Sequence, residues 1–218
     1  YTIDQSLRFE DGGPAYLSWT PGSAGNRKTW TFSCWLKRGT NFGSWQRILS
    51  AAVDGSDAAE IAISDTGYLR YEDWFEDGTQ YLFWTDRLFR DPSAWYHILF
   101  VYDTTETTST NRFKFYINGE LETGINTNNG YPPEDYVGRI NSTSQHRIAN
   151  GVYYNTLPLD GYLAEVHFID GQALDASSFG ETNSATNQWK PIEYTGSYGT
   201  NGFYQKYSST ELANSFTD

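Results

Sequence analysis

The stretch running from Leu159 to Gly180, "LDGYLAEVHFIDGQALDASSFG", decides how the chain is read. Tyr162, Ala164, Val166 and Phe168 alternate with Leu163, Glu165, His167 and Ile169. Successive strand side chains point to opposite faces, so the alternation predicts a strand with the first set on one face and the second on the other. Asp160-Gly161 and Asp170-Gly171 bracket it as turns, because Gly tolerates positive φ and Asp bonds nearby backbone. Leu174 to Phe179 then reads as one or two helical turns stopped by Gly180.

Working outward, strand signals recur along the chain: "QSLRFE", "AYLSWT", "KTWTFSCWLKR", "QRILSAA", "AEIAIS", "YLRYEDW", "TQYLFWT", "WYHILFVYD", "QHRIAN" and "GFYQKY". "FKFYINGELETG" reads as a hairpin with Asn118-Gly119 at its tip, a pair suited to a type I′ turn. Turn signals every ~8–12 residues, with no long amphipathic helix, predict an all-β fold of two antiparallel sheets packed as a sandwich. With 8 Trp, 17 Tyr and 13 Phe the chain is rich in residues that favour strands and fill a core. No linker or shift in composition divides the 218 residues, so one domain is expected over 1–218, with 181–218 as a C-terminal extension packing on it.

A formal charge of −12 argues against nucleic acid or an anionic membrane as partner, since both demand a basic surface. No apolar run is long enough to span a bilayer, so membrane insertion is not expected. Cys34, the single cysteine, shares a strand face with Trp30, Phe32 and Leu36 and is expected to be a buried structural thiol. With no Met even at position 1, the chain is expected to be excised from a longer one.

In their order, "SLRFEDGGPAYLSW", "WTFSCWLKR", "WYHILFVYD" with "FKFYINGE", and "LDGYLAEVHFIDGQAL" resemble the concanavalin A-like lectin/glucanase superfamily, specifically its laminin-G-like branch. The resemblance spans roughly residues 5 to 180 and implies a jelly-roll sandwich in which the stretch from Leu159 is a late strand. "AEVHFIDGQALDASSFGE" followed by "WKPIEYTGSYGTNGFYQKY" also looks like laminin-G-like modules in structural proteins of tailed bacteriophages. That second resemblance implies a virion location, in a tail fibre or capsid appendage. The partners would be a host-surface glycan and other virion proteins, with homo-oligomerisation open. Two further readings stand beside it: a purely structural interaction domain, and a polysaccharide-degrading enzyme.

The superfamily's hydrolases carry Glu-x-Asp-x-x-Glu, or the same with one residue fewer, on one strand, and no such motif occurs here. The nearest acidic cluster is "YEDWFED", where Glu72, Trp74 and Glu76 share a face. Residues i and i+4 of a strand lie about 13 Å apart, which fits neither the ~5–5.5 Å of retaining nor the ~6.5–9.5 Å of inverting glycosidases. The cluster therefore reads as a solvated acidic edge and the chain as a non-enzyme. His97 and His167 alternate with core positions and read as exposed, and His146 lies in a separate strand.

Laminin-G-like domains often hold Ca²⁺ through Asp or Asn oxygens. By position Asp160, Asp170 and Asp11 are the candidates, although Ala164 stands where family members often carry an acid. Sugar binding asks for a flat aromatic ring and a few polar groups. The loops "NGYPPEDY" and "NGVYYNT" supply Tyr131, Tyr136, Tyr153 and Tyr154, with Asn129, Asn150 and Asn155 nearby, as the candidate glycan site. Such loops tend to be exposed on a rigid scaffold.

Overall fold

The computed structural model describes residues 1–13, 15–153 and 157–208. Two seven-stranded antiparallel sheets stack face to face. The back sheet runs in the order β1 (Leu7–Phe9), β13 (Gly161–Asp170), β3 (Thr29–Arg38), β8 (Tyr96–Asp103), β9 (Phe113–Ile117), β10 (Glu120–Leu121), and β16 (Phe203–Gln205) also pairs with β13. The front sheet runs β11 (Ile125–Asn128), β7 (Gln80–Leu88), β6 (Tyr68–Trp74), β5 (Asp57–Ile63), β4 (Gln46–Asp54), β12 (Gln145–Ile148), β2 (Leu17–Trp19). A short hairpin, β14 (Gly180–Thr182) and β15 (Trp189–Pro191), stands apart. Among the described residues the only helical segments are single 3-10 turns at Ser109–Asn111 and Ala176–Ser178.

The core between the sheets is aromatic. Trp30 is fully buried and stacks on Phe100 and Tyr102, with ring centroids 5.0 Å and 5.2 Å away. Phe83 stacks on Phe113 at 4.0 Å. Cys34 is buried in this core, and burial pushes its thiol pKa far up. The predicted hairpin forms: Glu120 pairs with Ile117, and Asn118 and Gly119 both take positive φ (50° and 82°), as a type I′ turn requires.

The strand at Gly161–Asp170 departs from the alternation read in its sequence. Ala164 pairs with Trp35 and His167 with Ser33, so Glu165 and Val166 together oppose Cys34 in a β-bulge. The extra residue flips the pattern. Leu163, Val166 and Phe168 join the inner core, while Ala164, Glu165 and His167 face outward. One strand therefore does not keep Ala164 and Val166 on one face. The helix expected after it is a single 3-10 turn in which the Asp175 carboxylate accepts from Ser177 N at 3.0 Å. Gly180 is not its stop but opens β14, where a Cβ would meet the Trp189 indole at 2.4 Å.

The chain after β13 lies over the outer face of the back sheet. Ile169, Leu99, Val101, Ala176 and Phe179 form a second buried cluster there, with Trp189, Tyr194 and Tyr198 packed on it.

Candidate functional site

Alternation along β4, β5 and β6 sends a second set of side chains to the outer face of the front sheet, and among them are charged residues and a tryptophan. Glu60 and Glu72 stand directly opposite each other on β5 and β6, and Arg47 (β4) and Arg70 (β6) flank them. Arg47 Nε donates to Glu60 Oε2 at 2.7 Å, Arg70 pairs with Glu72, and Gln80 Nε2 donates to Glu72 Oε1. Trp45 lies under the Arg70 guanidinium, 4.7 Å from its ring centroid. Trp74 is fixed by its indole N–H, which donates to Gly55 O at 3.1 Å. With Leu157 these residues line a groove of ≈ 400 Å³.

The charged groups pair within the groove, two guanidiniums against two carboxylates. Burial lowers the Arg70 pKa, and Glu60 opposes that shift. The groove thus offers flat indoles beside rigidly held donors and acceptors, the chemistry that binds a polyhydroxylated ring. Glu60 and Glu72 lie on facing strands, a juxtaposition that spacing along one strand does not reveal. Each carboxylate is engaged by an arginine and is set up as a fixed hydrogen-bond acceptor.

"YEDWFED" is accordingly not a solvated edge. Glu72 is 7% exposed in the groove and Asp73 is fully buried on the inner face beneath Tyr71 and Tyr102, where desolvation lifts its pKa to about 7. Only Glu76 and Asp77, beyond the end of β6, are solvated.

The loop residues expected to bind sugar are not gathered in one place. Tyr131 and Tyr136 are half-buried and pack on the core: Tyr131 lies 5.1 Å from Phe83, and Tyr136 stands edge-on to Tyr81 at 5.0 Å. Asn129 Nδ2 donates to Gln80 O at 2.9 Å. Asn150 is interior, its side-chain oxygen accepting from Gly151 N and its carbonyl from Ser50 Oγ. Tyr153 is 56% exposed and lies over Gly55, in a crevice shared with Trp74 and Glu60 at the groove rim. Tyr154 and Asn155 lie outside the described residues.

The aspartates proposed for Ca²⁺ hold protein donors. Asp160 accepts from the Arg8 guanidinium at 2.8 Å and Asn41 N at 3.1 Å, and Asp11 accepts from Asn41 Nδ2. Asp170 accepts from Asn26 N, Asn141 Nδ2 and Asn201 N. Among the described residues no three His, Cys, Asp or Glu side chains converge as a metal set.

The histidines expected on exposed faces are buried, because the segment after β13 covers the outer face of the back sheet. His97 accepts from Trp189 Nε1 at 3.1 Å, and His167 lies parallel to Tyr204 with centroids 4.4 Å apart. Burial holds His97 and His167 neutral, with pKa values of about 3, and His146 with about 4.

Sequence reading missed Trp45, Arg47, Glu60, Arg70 and Gln80 as site residues. One signal was available: Arg47, Glu60 and Arg70 are charged residues inside strand patterns whose opposite face is apolar.

The profile of a laminin-G family, described as "Concanavalin A-like lectin/glucanases superfamily", matches residues 11–178. No curated protein matches significantly in sequence. Among solved structures, domains LG4-5 of the mouse laminin alpha1 chain superpose with TM-score 0.54 and 10% identity, over 93% of this chain and 47% of that one. The CBM40 of the Ruminococcus gnavus IT-sialidase gives TM-score 0.52 at 13% identity, over 76% of this chain and 96% of that one. Tailspike protein 2 of an Escherichia coli bacteriophage gives TM-score 0.52 at 13% identity, over 80% of this chain and 23% of that one. At these identities the likeness is one of fold.

Proposed function

Because the chain belongs to the concanavalin A-like lectin/glucanases superfamily, we propose that it is a non-catalytic carbohydrate-binding module whose sugar site is the front-sheet groove. The observation that carries this reading is the meeting of Trp45 and Trp74 with two Arg–Glu pairs in one cavity. The indoles stack on the apolar C–H face of a sugar, and the paired side chains fix its hydroxyls. Paired opposite charges suit a neutral hexose better than an acidic one, which would need an unpaired cation. Tyr153 at the rim extends the aromatic surface for a second sugar residue.

The setting proposed for this module is a structural protein of a tailed-phage virion, where it engages a host-surface glycan. The resemblance of residues 164–181 and 189–207 to phage laminin-G-like modules supports it, as does the same fold within a phage tailspike. A glycan array with the purified chain, followed by calorimetry on Trp74→Ala, tests the binding reading. Saturable sugar binding that this substitution weakens at least about 10-fold is expected. Absence of any glycan binding, or release of reducing ends from a bound polysaccharide, overturns it.

A further inference from the structure

A second cavity, of ≈ 530 Å³, opens on the outer face of the back sheet, away from the groove. It is built on the bulge in β13. β1 pairs with β13 as far as Leu163 and β16 from Val166 onward, so the free edge is interrupted at Glu165. Glu165 sits at φ 48°, a left-handed conformation unusual for a residue with a side chain, and such strain persists where the surroundings hold it in place. Its carboxylate, 6% exposed, accepts from Tyr204 OH at 2.7 Å and from Tyr1 OH.

The walls are aromatic. His167 lies nearly parallel to Tyr204 and to Tyr198 (3° and 9°), its Nδ1 3.1 Å from Tyr198 OH, and Tyr194 stands at 82° to Tyr198. The charges are one-sided. Asp4 and Glu193 join Glu165, whereas Lys206 is the one cationic side chain among the described lining residues. His167 stays neutral in its buried place. An anion entering this cavity meets three carboxylates against the single Lys206 ammonium, and a neutral sugar gains nothing from that excess of negative charge.

We propose that this cavity binds an organic cation, an alkylammonium group held by the tyrosine rings and the carboxylates. Ring faces carry negative charge density that attracts such a cation, and carboxylates add direct Coulomb attraction. The chain's charge of −12 favours its approach.

Calorimetry with choline and with 3,3-dimethylbutan-1-ol separates charge from shape, since the second replaces the ammonium nitrogen by carbon at almost the same size. The expected result is saturable choline binding that weakens with salt, with the neutral isostere at least about 10-fold weaker. Glu193 is exposed, so Glu193→Gln keeps the fold; it is expected to weaken choline about 2–3-fold with an unchanged melting temperature. Glu165→Gln is expected to weaken it at least about 10-fold, and the isostere comparison decides the matter if that variant unfolds. Trp74→Ala, in the groove, leaves choline binding as it is, so this test stands apart from the sugar reading. Equal affinity for choline and its isostere, or no saturable choline binding, overturns the proposal.

Discussion

The two sheets share one core but treat their outer faces oppositely. On the back sheet nine of the ten residues of β13 are buried: the core between the sheets takes Leu163, Val166 and Phe168, and the chain after β13 covers Ile169 on the other face with Tyr194, Tyr198 and Trp189 packed there. On the front sheet the outer face stays open, and its strands carry Trp, Arg and Glu in a groove. Both sheets obey the same period-two rule. What differs is the covering segment, which turns part of the back sheet's outer face into a second core beside the cavity at Glu165 and leaves the front sheet's groove uncovered.

The largest effect is expected where the sheets depend on each other. Trp30 is fully buried against Phe100, Tyr102, Tyr71 and Phe168, and Trp30→Ala should destabilise the fold by about 3–5 kcal/mol in urea unfolding. Covering of the back sheet alone is broken by Trp189→Ala. The indole fills the space over Gly119 and Gly180 and donates to His97. Its loss should cost about 2–3 kcal/mol and let the His97 pKa climb from about 3, readable by NMR titration, with sugar binding unchanged.

The buried titratable groups predict a pH dependence with a definite sign. His97, His146 and His167 have folded pKa values of about 3, 4 and 3, below the ordinary 6.5. Their contribution is therefore complete above pH ~6.5 and is lost as pH falls from there through about 4 for His146 and about 3 for His97 and His167. Asp73 works in the opposite sense: its folded pKa of about 7 lies above the ordinary 3.8, so its burial costs stability as pH rises between them. Near pH 5 unfolding takes up about three protons on the histidines and releases about one from Asp73, so net acid destabilisation is expected. Urea melts between about pH 4.5 and 6 check this, and Asp73→Asn should steepen the dependence. The smallest effect is at Cys34, whose buried thiol should resist labelling in the native protein until the fold opens.

The sandwich was legible because alternation, the Asp170-Gly171 turn and the Asn118-Gly119 tip are local signals that the structure realises, whereas the turn expected at Asp160-Gly161 is absent: Gly161 already belongs to β13, paired with Arg38 and Phe9. The faces of β13 were not. A bulge at Glu165 and Val166 inserts one residue, and nothing in the alternating sequence marks where. The burial of His97 and His167 was hidden for a related reason, since it depends on a segment that returns from later in the chain. The groove was half legible: Trp74 and Glu72 stood out, but their partner Glu60 lies on the neighbouring strand, and register decides that meeting. Loop tyrosines drew notice by composition, although Tyr131 and Tyr136 serve the core.

The most direct test of the groove as the sugar site compares three variants by calorimetry with one array-selected glycan: Trp74→Ala in the groove, Tyr153→Ala at its rim and Tyr131→Ala away from it. Binding should fall at least about 10-fold for the first, about 2–5-fold for the second and not at all for the third, each judged against its melting temperature. Full affinity in a folded Trp74→Ala variant, with loss in Tyr131→Ala, would contradict it and move the site to the loops.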